Sequence, residues 1–491
     1  MIINPTIKNV TDRITKRSET TRSDYLEKMN GARKEGPRRA HLTCGNQAHA
    51  YAPVPEDQKR LIDEAGGNIG IINAYNDMLS AHQPFEKYPE IIKKAARLVG
   101  GTAQVAAGVP AMCDGITQGQ TGMELSLFSR DAIAMSAAIG LSHNVFDTTV
   151  YLGVCDKIVP GMIISAATFG HLPAVFLPAG PMSTGQSNDE KAKIRQDFAE
   201  GKANRSDLMA SEMASYHGPG TCTFYGTANT NQMLMEFMGL HLPGSSFVNP
   251  NTPLRDALTD FGAKHALSIS DLNSNYIPVS KILDEKAYVN GIVGLMATGG
   301  STNLLIHLIA MARASGIIID WSDFAEISKV IPLLAKVYPN GLADVNHFHA
   351  AGGLGLVITE LLGANLLHSD TQTIMGTGLE AYTKEPKIIN GELGWHSGVS
   401  SSLNSKIIST TAEPFQETGG LADLNGNLGS AVMKVSAVEK SRRKITAPVR
   451  VFNDQQSVID AFRAGEFTHD VIIAVRYQGP RANGMPELHN L

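Results

Sequence analysis

Cysteine is scarce in this chain of 491 residues, and its four thiols lie far apart in the sequence. Cys44, Cys113, Cys155 and Cys222 form no Cys-x-x-Cys pair, and their spacing supports neither a zinc ribbon nor a disulfide framework. In a reducing compartment, isolated thiols of this kind are inert, catalytic or bound to a metal. The sequence alone leaves these three roles open for each cysteine.

Long apolar runs and strongly charged runs are also missing. No segment approaches the ~20 apolar residues of a membrane span, and residues 1–22 lack the apolar centre of a signal peptide. The formal net charge is -5 and no run of basic residues occurs, so the sequence shows no positively charged patch of the kind that binds nucleic acid. We therefore expect a cytoplasmic protein that binds neither membrane nor nucleic acid and recognises an anionic substrate only locally.

The segment with the most reactive side chains follows an apolar run at residues 148–152. Cys155, Asp156 and Lys157 come directly after it, a helix is predicted over residues 162–171, and residues 173–177 have the pattern of the next strand. Such a βαβ unit brings reactive side chains to the carboxyl edge of a parallel sheet, where ligands collect. The alternative is a buried cysteine beside a surface ion pair.

Two further segments repeat this arrangement. Residues 68–75 form an apolar run of strand length, and residues 105–110 deliver Cys113 and Asp114 into a glycine-rich loop. Strands that alternate with helices predict an α/β fold with a parallel sheet. After residue 383 short strand-like runs alternate with Gly, Asn and Ser turns, so we predict an α/β domain over residues 1–383 and a β-rich domain over 384–491.

Several helical segments have functional alternatives. A methionine-rich helix over residues 230–239 follows Cys222, whose thiolate would be favoured by a helix N-terminus. A glycine-rich turn at residues 298–303 precedes an apolar helix and is either an anion site or a simple cap. The cations of the charged helical stretch 189–213, Lys191 among them, are predicted to lie on a solvated surface.

Hard and soft metal ligands occur together in this sequence. Asp114, Asp156 and Glu487 stand near strand ends or in a Gly/Pro turn and suit Mg²⁺. Cys155 and Cys222 stand in glycine-rich loops, as the ligands of an iron–sulfur cluster do. From the residues alone we predict an enzyme with one soft and one hard metal site.

Five motifs, in order along nearly the whole chain, resemble the signatures of the dihydroxy-acid and sugar-acid dehydratase family. They are Met112-Cys113-Asp114-Gly115, Gly153-Val154-Cys155-Asp156-Lys157, the segment from Gly220 to Asn229, Gly299-Gly300-Ser301-Thr302-Asn303 and Gly484-Met485-Pro486-Glu487. Ser80-Ala81-His82 and the segment from Tyr216 to Tyr225 resemble the branch that dehydrates 6-phospho-D-gluconate.

The resemblance implies a fold and a set of ligands. The expected fold is a cofactor-carrying α/β domain followed by a β-barrel-like domain, here incomplete, in a homodimer. Cys155 and Cys222 are expected to bind a [4Fe–4S] cluster, or a [2Fe–2S] cluster, with Cys113 as the first choice for a third ligand and Cys44 as the second. Asp114, Asp156 and Glu487 are expected to hold Mg²⁺, with Lys157 as a carbamate. The candidate catalytic residues are Lys157 and His82.

The resemblance also implies the chemistry, which is removal of the C2 proton and loss of the C3 hydroxyl without a nicotinamide or flavin. Relatives continue past the Met-Pro-Glu element to a loop whose serine serves as the base, and this sequence has no such loop. The corresponding hypothesis is a truncated dehydratase without that base. The alternatives are a dehydratase of another sugar acid or 2,3-dihydroxy acid and a non-catalytic iron–sulfur sensor.

Overall fold

A computed structural model describes residues 2–35, 38–62, 66–480, 484, 488 and 491. Its main sheet has four strands in the order β2-β1-β3-β4, all parallel. The strands are β1 Asn68–Asn73, β2 Thr102–Gly108, β3 Thr148–Leu152, β4 Ala174–Phe176, β5 Gln372–Thr373, β6 Gly376–Thr377, β7 Lys384–Ile389, β8 Glu392–Ser397, β9 Ala422–Gly426, β10 Gly429–Met433, β11 Val449–Phe452 and β12 Ile472–Val475. The predicted α/β class with a parallel sheet is confirmed.

Helices cover the faces of the sheet and form most of the remaining fold. They are α1 Pro5–Lys34, α2 Cys44–Tyr51, α3 Gln58–Ile62, α4 Tyr88–Leu98, α5 Asp114–Thr117, α6 Ser126–Leu141, α7 Ile158–Thr168, α8 Asn188–Ala199, α9 Arg205–Ser215, α10 Thr227–Phe237, α11 Pro253–Ser268, α12 Val279–Ile282, α13 Glu285–Thr298, α14 Asn303–Ala314, α15 Trp321–Val330, α16 Val345–Ala350, α17 Gly353–Gly363 and α18 Gln455–Arg463. No helix in the described ranges is long and apolar enough to cross a membrane.

The strand order determines where the sheet can bind a ligand. β1 pairs with β2 on one side and with β3 on the other, so the chain moves outward in opposite directions from these two central strands. Loops that follow such strands diverge and leave a crevice at the carboxyl edge. All residues of β3 and the first five of β1 are buried, as expected for strands with both faces covered.

A close helix contact positions the segment after β3. A Cβ atom on Gly161 of α7 would lie 2.7 Å from the carbonyl oxygen of Arg130 in α6, which leaves no room for a side chain. Absence of a side chain at this point lets α7 approach α6 closely. The first turn of α7 is therefore held against the body of the domain directly after the Cys155 loop.

Several predicted bounds are wrong. The helix after β3 begins at Ile158 and ends at Thr168, and the methionine-rich helix begins earlier, at Thr227. The charged stretch 189–213 is two helices, because Asn204 caps a new helix with its side chain and with Asp207. Residues 406–408 are one of the short runs after residue 383 that were predicted as strands, and they form only an isolated bridge from Ile408 to Ala335.

The residues after 383 form pairs of strands. β7–β8 and β9–β10 are antiparallel hairpins, and β11 and β12 are parallel and connected through α18. In the described part of this region these pairs do not join into one sheet, so the β-barrel-like domain stays a prediction. The first hairpin packs on the segment after α10, where Trp395 donates a hydrogen bond to the carbonyl of Pro243 at 2.9 Å.

Candidate active site at the carboxyl edge of the sheet

The loop after β3 holds Cys155 in an unusual backbone conformation. Its φ angle is 73°, in the left-handed region that a residue with a Cβ atom seldom adopts. Cys155 is 8% exposed, and Asp156 and Lys157 connect it to the first turn of α7. The turn places a thiol, a carboxylate and an amine at the carboxyl edge, as the βαβ prediction expected.

Cys113 and Cys222 reach the same edge from other parts of the chain. Cys113 follows β2 and directly precedes α5. Thr221, next to Cys222, exchanges backbone hydrogen bonds with the Gly180–Met182 segment after β4, and the N–H of Gly220 donates to the carbonyl of Ser80 at 2.7 Å. The loops that follow β1 and β4 therefore meet the Cys222 loop at this edge.

Neighbouring thiols raise the pKa of Cys155 and of Cys222. Burial raises the pKa of Cys155 well above its usual value, and the neighbouring Cys113 and Cys222 raise it further, as does Asp156. Burial, with help from Cys113 and Asp156, raises the pKa of Cys222 to about 12. Burial also raises the pKa of Cys113. A group of buried donors that repel one another when ionised needs a cationic partner to become thiolates.

Cys44, the second choice for a third ligand, lies elsewhere. It is the first residue of α2 and is exposed. Cys44 is not among the groups that shift the pKa of Cys155 or Cys222. The geometry thus favours Cys113, a choice that sequence spacing could not make.

One helix fixes the loops of two cysteines. The Asn231 amide in α10 donates to the carbonyls of Cys155 and Asp156, at 3.1 and 3.0 Å. The Asn229 amide donates to the carbonyls of Cys222 and Phe224, at 2.6 and 2.8 Å. Both asparagines are fully buried, so α10 connects the two thiol-bearing loops through buried hydrogen bonds.

The carboxylates surround the buried Lys157 amine. Lys157 is 2% exposed and forms a short ion pair with Asp114, and its Nζ lies 3.9 Å from Oδ2 of Asp156. Asp114 also accepts a hydrogen bond from the Ser126 hydroxyl at 2.7 Å. This arrangement holds two hard oxygen ligands close together, with a cation between them.

Glu487, the predicted third magnesium ligand, lies outside the described residues. Its neighbour Gly484 is described, and the carbonyl of Gly484 accepts a hydrogen bond from the N–H of Leu127 at 2.9 Å. Leu127 directly follows Ser126, the partner of Asp114. Gly484 thus contacts the start of the helix that carries Ser126.

Within the described ranges, no three His, Cys, Asp or Glu side chains group around a point that could hold a single metal ion. An iron–sulfur cluster places its thiolate ligands on different irons, so thiols that face one another across a space fit it better than a single ion. Cys155 and Cys222 are held by loops that α10 binds through Asn231 and Asn229, and the thiol of Cys113 lies close enough to raise the pKa of both. The donor set fits a cluster.

His82, a predicted catalytic residue, is fully buried and packs against the Phe85 ring. Burial lowers its pKa to about 4, so the imidazole is neutral near pH 7. Its loop meets the Cys222 loop through the bond from Gly220 to Ser80. Among the described residues, the His82 ring contacts the Phe85 ring and the backbone of Ala74, not Asp114 or Asp156.

The hydrogen-bond donors of the glycine-rich turn at residues 298–303 bind hydroxyl groups of the protein. The N–H of Ser301 donates to the Thr230 hydroxyl at 3.1 Å, and the N–H of Asn303 donates to the Ser301 hydroxyl at 3.3 Å. The Asn303 amide binds the Thr227 hydroxyl at 3.0 Å. These bonds join the first turns of α10 and α14, which favours the capping alternative over an anion site.

Lys191 was wrongly predicted to lie on a solvated surface. Its side chain is 13% exposed, and its Nζ donates to the Tyr216 hydroxyl at 2.7 Å and lies 4.0 Å from the centre of that ring. The ammonium opposes the effect of burial on the pKa of Cys222. The EKAK pattern of α8 carried no signal of this contact, because a tyrosine from a later loop creates it.

Comparisons with known proteins agree over the full length. Residues 67–382 match the dihydroxy-acid/6-phosphogluconate dehydratase N-terminal family, and residues 406–491 match the C-terminal family of the same name. The chain is 59% identical to phosphogluconate dehydratase of Rhizobium meliloti (99% of this chain, 80% of the relative). It is 57% identical to the Escherichia coli K12 phosphogluconate dehydratase (100% and 81%).

A more distant relative carries the other family name. The dihydroxy-acid dehydratase of Caldanaerobacter subterraneus is 34% identical over 90% of this chain and 76% of the relative. The motif order, the converging thiols and carboxylates and these matches all agree. The chain belongs to the dihydroxy-acid/6-phosphogluconate dehydratase family.

Proposed function

We infer that this chain is a hydro-lyase that dehydrates 6-phospho-D-gluconate to 2-dehydro-3-deoxy-6-phospho-D-gluconate and water, a step of the Entner–Doudoroff pathway. The observation that carries the inference is the convergence of Cys113, Cys155 and Cys222 with Asp114 and Asp156 at one sheet edge. The substrate follows from relatives named phosphogluconate dehydratase, which are 52–59% identical over nearly the whole chain.

Enzymes of this family use a metal cluster. We assign Cys155, Cys222 and Cys113 as its ligands here and propose a [4Fe–4S] cluster, with [2Fe–2S] as the alternative. When bound, the cluster supplies a Lewis acid for the departing C3 hydroxyl. The contribution of the chain is to hold the three thiols at fixed separations, which the amides of Asn229 and Asn231 support.

We assign Asp114 and Asp156, with Glu487, to Mg²⁺. Two carboxylates and a retained set of waters or substrate oxygens are a typical magnesium environment. Lys157 forms an ion pair with Asp114, and as a carbamate it would add a further oxygen ligand. The bonds from Ser126 and Lys157 keep the Asp114 carboxylate oriented toward the loop of Asp156.

The reaction requires a base for the C2 proton and a proton for the leaving hydroxide. Lys157 is the candidate that lies among the carboxylates, and its neutral form or carbamate would accept the proton. His82 is the second candidate, because it is neutral near pH 7 and lies on the loop beside Cys222. The enol that results takes up a proton at C3 and becomes the 2-keto acid.

The test is an anaerobic assay of the chain reconstituted with iron, sulfide and Mg²⁺, which follows the 2-keto product from 6-phosphogluconate. We expect product from the parent chain, and neither product nor cluster absorbance from Cys155→Ser. Product from gluconate at the same kcat/KM would overturn the assignment of a phosphorylated substrate. Full activity after removal of Mg²⁺ would overturn the magnesium site.

Three further assignments belong to this proposal. We propose a domain boundary after residue 383, a homodimer, and a cytoplasmic location suited to a phosphorylated metabolite. Sedimentation of the reconstituted enzyme tests the homodimer. A monomer with full activity would contradict it.

A further inference from the structure

The helices α8 and α9 pack against each other over residues 188–215 and form the α8–α9 hairpin. This hairpin follows β4 at one end of the main sheet, whereas Asp114 follows β2 at the other end. The strands β1 and β3 lie between β2 and β4, and β3 leads to Cys155. The chain thus reaches the carboxyl edge from one side at the α8–α9 hairpin and from the other side at Asp114.

The segment that leaves the α8–α9 hairpin runs along this edge from Tyr216 to Cys222. The His217 ring forms a hydrogen bond of 3.0 Å with the Ser183 hydroxyl in the loop after β4. Further along, backbone hydrogen bonds join the segment to the loops that follow β1 and β4. These bonds fix the path of the segment and hold Tyr216 beside the loop of the thiol.

Two cations of α8 lie against Tyr216. The Nζ of Lys191 donates to the Tyr216 hydroxyl and lies over the face of its ring. Arg195 is four residues further along α8 and therefore shares the helix face of Lys191. Burial raises the pKa of Tyr216 to about 12, the nearby Cys222 raises it further, and Arg195 opposes both effects. Both cations are thus held at the end of the hairpin that faces the Cys222 loop.

The two cations share a single carboxylate. The Nε of Arg195 donates to one oxygen of Glu212 at 2.6 Å, and the Nζ of Lys191 lies 4.0 Å from the other oxygen. In the part of the chain that the structure describes, no other carboxylate lies within 4.0 Å of either cation. Burial lowers the pKa of Lys191, and Arg195 lowers it further. A mostly buried ammonium whose charge is only partly balanced gains from a nearby anion.

The thiol of Cys222 lies near both the carboxylates and the α8–α9 hairpin. Burial raises its pKa most, Cys113 and Asp156 raise it further, and Lys191 lowers it. A substrate held at Cys222 therefore has a proposed magnesium ligand and the cations of the hairpin within reach of its two ends.

We propose that Lys191 and Arg195 bind the phosphate of the substrate and give the enzyme its preference for a phosphorylated sugar acid. This inference rests on the proposed function, which places C2 of the substrate at the magnesium carboxylates and C3 at the cluster. The phosphate of 6-phosphogluconate is on C6, three carbon atoms beyond C3 and at the opposite end from the carboxylate. An ammonium and a guanidinium that share one carboxylate favour a phosphate dianion over the neutral C6 hydroxyl of gluconate.

The variants remove one cation at a time. Lys191→Met and Arg195→Met each replace a cation by an unbranched neutral side chain, and Lys191→Arg restores a cation at the first position. Lys193→Met is the matched control, because Lys193 is an exposed lysine of the same helix and two residues along it faces another side.

Calorimetry measures the Kd of 3-deoxy-6-phosphogluconate and of 3-deoxygluconate for the full chain reconstituted with iron, sulfide and Mg²⁺. Both analogues lack the departing C3 hydroxyl and do not react. We expect the parent to bind the phosphorylated analogue at least about tenfold more tightly, and Lys191→Met and Arg195→Met each to lower this ratio about three- to tenfold. Lys191→Arg should retain most of the ratio, and Lys193→Met all of it.

The ratio separates a phosphate contact from a structural role. A structural role would weaken both analogues alike and leave the ratio at the parent value, which would overturn the phosphate site. An equal fall of the ratio in Lys193→Met would overturn it as well, because the effect would then come from the general charge of the helix. A parent that shows the ratio but forms no product from 6-phosphogluconate would support the phosphate site and contradict the proposed function.

Discussion

Replacing Asn231 by alanine tests whether α10 holds the loops of Cys155 and Cys222 together. The substitution removes two hydrogen bonds to the carbonyls of Cys155 and Asp156, at 3.1 and 3.0 Å, in a fully buried place. Each bond contributes about 1 kcal/mol, and a buried carbonyl without a partner costs about 1–3 kcal/mol. Because these two terms overlap, we expect the free energy of unfolding to fall by about 2–4 kcal/mol in total.

We expect Asn231→Ala to lose more iron than its lower free energy of unfolding can explain. Without the Asn231 amide the Cys155 loop is free to relax from its left-handed turn, and the separation of its thiol from Cys222 is no longer fixed. We therefore expect Asn231→Ala to retain less iron per chain than the parent after reconstitution, at temperatures where it is fully folded. Urea unfolding gives the stability, and iron content with cluster absorbance gives the occupancy.

Asn290→Ala is the matched control. Asn290 is also fully buried and makes two hydrogen bonds of similar length, both to the backbone of His368. This control should lose a similar free energy of unfolding but keep its iron. If Asn231→Ala keeps all of its iron, or if Asn290→Ala loses as much, α10 does not set the thiol geometry.

Four other substitutions test single residues of the proposed site and its alternatives. Cys113→Ser should lose cluster absorbance and Cys44→Ser should retain it; the opposite result would make Cys44 the third ligand. Lys191→Met should raise KM for 6-phosphogluconate about three- to tenfold, because it removes a half-buried cation beside Cys222; an unchanged KM would leave Lys191 a structural role. The pKa of His82 is about 4 in the folded chain and 6.5 when unfolded, so the unfolded chain binds the extra proton between these values. The parent should therefore lose up to about 3 kcal/mol more free energy of unfolding than His82→Gln as pH falls from 6.5 to 4, and equal urea titrations across that range would contradict the burial of a neutral imidazole.

The α/β core could be predicted from the sequence because its strands are buried on both faces. Such strands read as continuous apolar runs, and residues 148–152 followed by Cys155 give both the strand and its carboxyl end. Helix ends were predicted less well, since they depend on side-chain caps such as Asn204. The core of the fold therefore followed from local pattern, whereas the exact bounds did not.

Contacts between segments that lie far apart in the chain could not be predicted from the sequence. The family resemblance ranked Cys113 before Cys44 as the third ligand, but spacing in the chain did not, and the paths of β2 and α2 are what separate the two thiols in space. Lys191 lies on a polar helix whose pattern is that of a solvated face, until Tyr216 folds against it. Residues whose partners come from distant segments carry no local signal of their role.

At the left-handed turn of Cys155, the residue that the proposed reaction needs differs from the residue that the backbone conformation favours. At φ 73° a cysteine is strained, and glycine would occupy the same turn without that strain. Cys155→Gly therefore relieves backbone strain while it deletes a thiol on which the proposed reaction depends. A lineage released from selection for catalysis could drift to glycine here without losing its fold, so a well-folded descendant would be no sign of an active one.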